Sequence, residues 1–308
     1  MPNVPAKLCR FSGGIGLSLN VQDKEKTKVI NTENGTEDSY KVIKSLFPES
    51  ECGKDHVIVK MNGVINKFRA RFRGTGATSG PAKLTICQSD LPQFYVVADT
   101  MVDVVTSEFD MSKAKLDELK ALCLVEFDSL IAKAQAAHKE QFNRAQYPVS
   151  GEALVRSVYM DMDWIPMFSP EHLTGQFASA TLEKMREKAQ ENANAVAAVS
   201  AREVFVELLH RVKAISDGLL NPDARVMSAT IEHLKEACNF ATLKIIAPEG
   251  SEERQSIELL TETIKGELDS IDVNAIRKNA GLRADAGDKL GIIARQFGEL
   301  GKRKFSLE

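Results

Sequence analysis

The chain has 308 residues, 43% hydrophobic, 27% charged and 6% aromatic, with 40 Lys and Arg against 43 Asp and Glu for a formal charge of −3. That profile excludes disorder, collagen and a small disulfide scaffold, and it leaves room for two modest domains or one elongated one. A near-neutral balance also excludes a wholly basic nucleic-acid coat, though not a local basic patch.

Met1 to Gly16 shows no basic region leading into an apolar core, and no run of about 18 apolar residues occurs in the chain. The five cysteines, Cys9, Cys52, Cys87, Cys123 and Cys238, are odd in number, scattered and without a CxxC pair. That is the usage of reduced thiols. The expectation is a cytoplasmic protein with no membrane span, no structural metal and no cofactor.

The character of the chain changes near residue 90. Nine of the 19 glycines lie in residues 1–80, and residues 1–89 read as a mixed portion, partly β or irregular. Within it, residues 60–89 carry six basic residues and no acid: Lys60, Lys67, Arg69, Arg71, Arg73 and Lys83. Two conformations fit Val57–Arg73. Asn62-Gly63 between alternating runs is a hairpin signal, which would put Lys67, Arg69, Arg71 and Arg73 on one face. Met61, Val64 or Ile65, Phe68 and Phe72 also recur at three and four, a helical spacing closed by Gly74. In either form Lys60, Lys67, Arg69, Arg71 and Arg73 are candidate contacts for nucleic acid or a partner. The alternative is a solvated face paired with acids of the helices. Gly74 to Gly80 resembles a phosphate cradle, but the Gly-Lys-Ser/Thr that a P-loop needs does not follow.

Residues 90–308 read as a helical body. Tyr95, Val102, Phe109, Leu116, Cys123, Leu130 and Ala137 recur every seven residues, and no Gly or Pro falls between Pro92 and Pro148. One long helix over about 90–146 is expected, roughly 80 Å at 1.5 Å per residue, in preference to a local strand at Tyr95–Val97. A connector over 147–170 holds Asp161 and Asp163, read as a polar turn, and the apolar group Trp164, Met167 and Phe168. Trp164 and Phe168 are candidate anchors, for the fold or for a partner. Further helices are expected at about 171–217, 222–247, 252–269 and 285–300, with Gly218 and Pro248 as stops. Their apolar stripes are narrow, about two residues in seven, as in long helices packed in pairs. The fold class expected is therefore mainly α: an elongated, antiparallel coiled-coil-like bundle with a small mixed N-terminal portion. No GxSxG, HExxH, HxE…CxxC or Walker motif is present, so the expectation is a non-enzyme.

The order of features resembles a family of phage and mobile-element proteins encoded beside MoxR-type AAA+ ATPases and von Willebrand factor A (VWA) domain proteins. The likeness spans roughly 55–280. It rests on the basic stretch Lys67–Arg73, the Gly-containing link Gly74–Lys83 and a long helix with Glu108-Phe109-Asp110. The aromatic and Pro-containing segment Val158–Pro170 and the helical C-terminal half complete it. The resemblance implies a helical partner protein of an ATPase–VWA machine, favours a helix over Lys67–Arg73, and carries over no catalytic residues. The functional expectation is a structural or adaptor protein acting through protein contacts, including homo-oligomers. The alternative is a nucleic-acid-binding accessory in phage recombination or replication.

Overall fold

A computed structural model describes residues 6–15, 46–74, 80–89, 91, 93–166, 179–225, 228–247 and 249–305. Among them the fold is mainly α with a small β portion, as the stripes imply. Strand β1 (Ala6–Ile15) is central in a three-stranded sheet of order β2-β1-β3. It pairs antiparallel with β2 (Phe94–Ala98), Ala6 opposite Ala98 and Arg10 opposite Phe94; β3 is Val158–Pro166. The helices are α1 (Glu49–Cys52), α2 (Val57–Arg73), α3 (Val102–His138), α4 (Gly151–Ser157), α5 (Ser179–Leu220), α6 (Ser228–Lys244), α7 (Glu252–Ser270), α8 (Val273–Lys278) and α9 (Ala280–Lys304).

The chain divides into two compact units. Unit 1 comprises Met1–Arg10, Arg71–Val105 and Trp164–Glu308; unit 2 comprises Phe11–Ala70 and Thr106–Asp163.

In unit 1 the helices α5 to α9 enclose one apolar core. Phe205, Leu208 and Val212 of α5 meet Leu234 and Cys238 of α6, Leu260 and Ile264 of α7, and Leu290 and Ile293 of α9. These residues lie on the stripes read from the sequence. Capping sets several helix starts, because the first N–H groups of a helix lack intrahelical partners. Ser251 accepts from the Arg254 N–H at 3.3 Å, and Asn279 from those of Gly281 and Leu282 at 2.9 and 3.2 Å. The Asn279 cap starts α9 at Ala280 rather than near 285. Helix α5 runs through Gly218 to Leu220 rather than stopping at 217. Two of its last carbonyls are satisfied from outside, where the Arg283 guanidinium donates to Gly218 O at 2.9 Å and Leu219 O at 2.8 Å, and the same group donates to Ala224 O, in the turn that follows, at 2.7 Å. A cation there also complements the negative helix end. Residues 171–178 lie outside the described residues.

In unit 2, Ile58, Met61, Ile65 and Phe68 of α2 are buried with Phe109, Leu116, Leu119 and Cys123 of α3. Phe68 packs against Phe11 with tilted rings, centroids 4.8 Å apart, and meets Phe109 edge-on at 5.5 Å. The helix thus prevails over the hairpin for 57–73, because only a 3–4 spacing buries this row. Gly63 sits exposed on the helix and Gly74 ends it at φ +76°, a conformation glycine adopts freely.

The single helix expected over 90–146 is not formed. Phe94–Ala98 is a strand, and α3 begins only at Val102 and ends at His138. The β-branched pair Val96-Val97 is fully buried and completes the sheet against β1, which outweighs a register that a strand can match by coincidence. Asp161 and Asp163 likewise lie in a strand, β3, not in a turn. Val158 and Met160 face inward while Tyr159, Asp161 and Asp163 are exposed, a period of two.

Candidate functional site

The helix divides the basic residues of 60–73 between two faces, Lys60, Lys67 and Arg71 on one and Arg69 and Arg73 on the other, because two residues of a helix turn through roughly 200°. They do not form one surface. Lys60 and Lys67 are exposed. In unit 2, Arg69 donates to Asn66 and to Gly13 O. In unit 1, Arg71 donates to Glu236 Oε1 at 2.6 Å and lies 6.0 Å from the Phe240 ring centre. Arg73 is exposed and lies 5.9 Å from the Tyr95 ring centre. Arg69 and Arg71 are thus engaged with this chain's own atoms. Trp164 is half-buried at the end of β3, and Phe168 lies outside the described residues.

A cluster of buried charge that the sequence reading missed lies in unit 1. Glu207 and Arg211 stand one turn apart on α5, and Lys244 sits in the last turn of α6. Glu207 Oε2 accepts from Lys244 Nζ at 3.0 Å, and Oε1 accepts from Arg211 Nε at 3.1 Å. The Lys244 side chain is only 2% exposed. Burial alone would raise the pKa of Glu207. The charges of Lys244 and Arg211, with hydrogen bonds from Lys244 and the Lys83 N–H, outweigh burial and hold it below its usual value. Arg211 also donates to Gly80 O at 2.6 Å and Pro81 O at 3.1 Å, and the Ala82 N–H donates to Glu236 Oε2 at 2.9 Å. This cluster therefore fastens segment 80–83 to α5 and α6. The available sequence signal was a lysine on the inward face of α6, three residues beyond the buried Ala241.

A second feature is the outward face of α3 in unit 2. Opposite its buried row, Met111, Ala114, Ala121, Leu122, Val125, Ala132 and Ala136 are all exposed, within one arc of about 100° around the helix. Met111 is 59% exposed, Leu122 40% and Val125 82%. Asp110, Asp117 and Asp128 run along one edge of this stripe, and Glu118 lies within it. Side chains so placed can receive a helix laid alongside.

Among the described residues no group of three or more His, Cys, Asp or Glu is placed to hold a metal ion, and no helix is long and apolar enough to cross a membrane. Compared with known proteins, the chain matches no family model, and no curated protein or solved structure matches it significantly.

Proposed function

We propose that this is a non-enzymatic helical adaptor and that the outward face of α3 docks a helix of a different protein. The observation that carries the reading is the exposed stripe of Met111, Leu122 and Val125 opposite a fully packed row. Charge selects the occupant. Glu118, within the stripe, is paired with Lys115 at 2.6 Å, whereas Asp110, Asp117 and Asp128 leave one edge acidic, and a second copy laid antiparallel would bring that edge against itself. Like charges so placed are unfavourable. A partner helix with apolar residues along its seam and Lys or Arg along one edge meets both requirements.

The resemblance to proteins encoded beside MoxR-type ATPases and VWA-domain proteins names the candidate partners. The test is a binding titration of the full chain against each of those two proteins from the same source genome. Binding to one of them, abolished by Leu122→Asp with Val125→Asp at unchanged helicity, is the expected outcome. Binding that survives the double substitution removes the α3 face from the account, and no binding to either protein removes the ATPase–VWA assignment.

A further inference from the structure

In unit 1 a cleft of about 240 Å³ lies between residues 73–74 and 81–86 on one side and helices α5 and α6 on the other. Four cations line it, Arg73, Lys83, Arg211 and Lys244, against two carboxylates, Glu203 and Glu207. Glu207 is already shared, bonded by Lys244 and Arg211 and approached by the Lys83 N–H at 3.4 Å. Glu203 is exposed.

The donors are under-used. An ammonium can donate three hydrogen bonds. Among the described residues one acceptor is seen for each lysine: Ile86 O at 2.7 Å for Lys83 Nζ and Glu207 Oε2 at 3.0 Å for Lys244 Nζ. Burial pushes the Lys244 pKa down, Glu207 resists this, and the neighbouring charges of Lys83 and Arg211 press it further down. A partly desolvated site with more cations than anions and unspent N–H groups is short of negative charge.

We propose that this cleft binds a small oxyanion of the phosphate type, held by the ammonium groups of Lys83 and Lys244 with Arg73 at its mouth. A tetrahedral oxyanion carries acceptors on every oxygen and one or two negative charges, which is what the lining lacks. The volume falls below the roughly 300–1,000 Å³ of pockets for drug-sized ligands, so a phosphoryl group fits and a whole nucleotide does not. Arg211 is committed to Glu207, Gly80 O and Pro81 O. It is a positioning residue that fixes the wall and adds charge. Gly74 keeps the mouth close to Lys83, since a Cβ at that position would stand 3.0 Å from Lys83 Cδ.

The same chemistry suits free phosphate and a phosphomonoester, so calorimetric titrations of the full chain at constant ionic strength use inorganic phosphate and ribose 5-phosphate as separate probes. Saturable binding of either probe is expected, and the tighter one identifies the source. Lys83→Gln should weaken it by about tenfold, as loss of a charge-assisted hydrogen bond does. Arg73→Gln, at an exposed position, should also weaken it, while Glu203→Gln should strengthen it by removing a competing carboxylate. The proposal is overturned if neither probe saturates at millimolar concentration, or if both the Lys83 and Arg73 variants bind as tightly as the parent chain.

Discussion

Helices α5 and α9 approach closely at Gly287, and two alanine substitutions measure how closely. A Cβ at Gly287 would stand 2.9 Å from Cγ and Cδ2 of Leu220 and 3.2 Å from Cβ of Leu219. Ser216 Oγ donates to Gly287 O at 2.8 Å across the same crossing. A Cβ at Gly298, three turns along the same helix, meets nothing within 4 Å. Each substitution gains about 0.5–1 kcal/mol from replacing a helical glycine. At Gly287 that gain is opposed by overpacking, typically about 1–3 kcal/mol, because Leu219 Cβ and Leu220 Cγ lie close to the α5 backbone, although the Leu220 Cδ2 methyl is a side-chain end that can turn aside. The propensity term cancels in the comparison. Gly298→Ala should therefore be more stable than Gly287→Ala by about 1–3 kcal/mol, with Gly298→Ala above the parent chain. Urea melting followed by circular dichroism reads this directly. Equal stabilisation by both substitutions would refute the close crossing of α5 and α9.

Two further outcomes follow from burial. Glu207 has a depressed pKa in the fold, so the unfolded chain binds more protons below its usual value of 4.5. Its contribution is present above that pH and is lost as pH falls through the lowered folded value. The stability advantage of the parent chain over Glu207→Gln should be full at neutral pH and shrink in acid below about 4.5, and a pH-independent difference would contradict the buried cluster. Burial, with the nearby Glu126 carboxylate, pushes the Cys123 thiol up to about 11. Burial also pushes Cys238 up to about 12, against the opposing charges of Lys265 and Arg211. Cys9 and Cys52 are buried as well, which leaves Cys87, the partly exposed thiol. Mass spectrometry after brief alkylation of the native protein should find Cys87 modified first, with Cys123 and Cys238 reacting only on unfolding. Early modification of Cys123 or Cys238 would contradict their placement.

Much of the helical body was legible because burial imposes its period on the sequence. Ile257, Leu260, Ile264 and Leu268 were a stripe on paper and are one in the α7 core. In α3 the seven-residue row Phe109, Leu116, Cys123 and Leu130 is buried as read. A second buried row steps from Leu119 to Phe127 and Ala134, off a strict seven-residue register, since a straight helix drifts about 20° per heptad from such a repeat. Strands β2 and β3 escaped because short apolar runs fit more than one period, and β2 depends on a partner about 90 residues away in sequence. The Glu207–Arg211–Lys244 cluster escaped for the same reason. One of its pairs is local to α5, but the lysine that completes it arrives from the end of a different helix. The basic stretch 60–73 illustrates the converse, where a pattern conspicuous in sequence is divided by helix geometry and partly absorbed by Gly13, Asn66 and Glu236.

The proposed adaptor role stands on the outward face of α3, and a quantitative binding isotherm against the two proposed partners, an AAA+ ATPase and a VWA-domain protein, tests it most directly. The parent chain should bind one of them. Val125→Lys should lose most of that affinity, because it places a charge at the centre of the contact, while Lys60→Gln, on α2, should keep it. Equal binding by the parent chain and Val125→Lys would contradict the account.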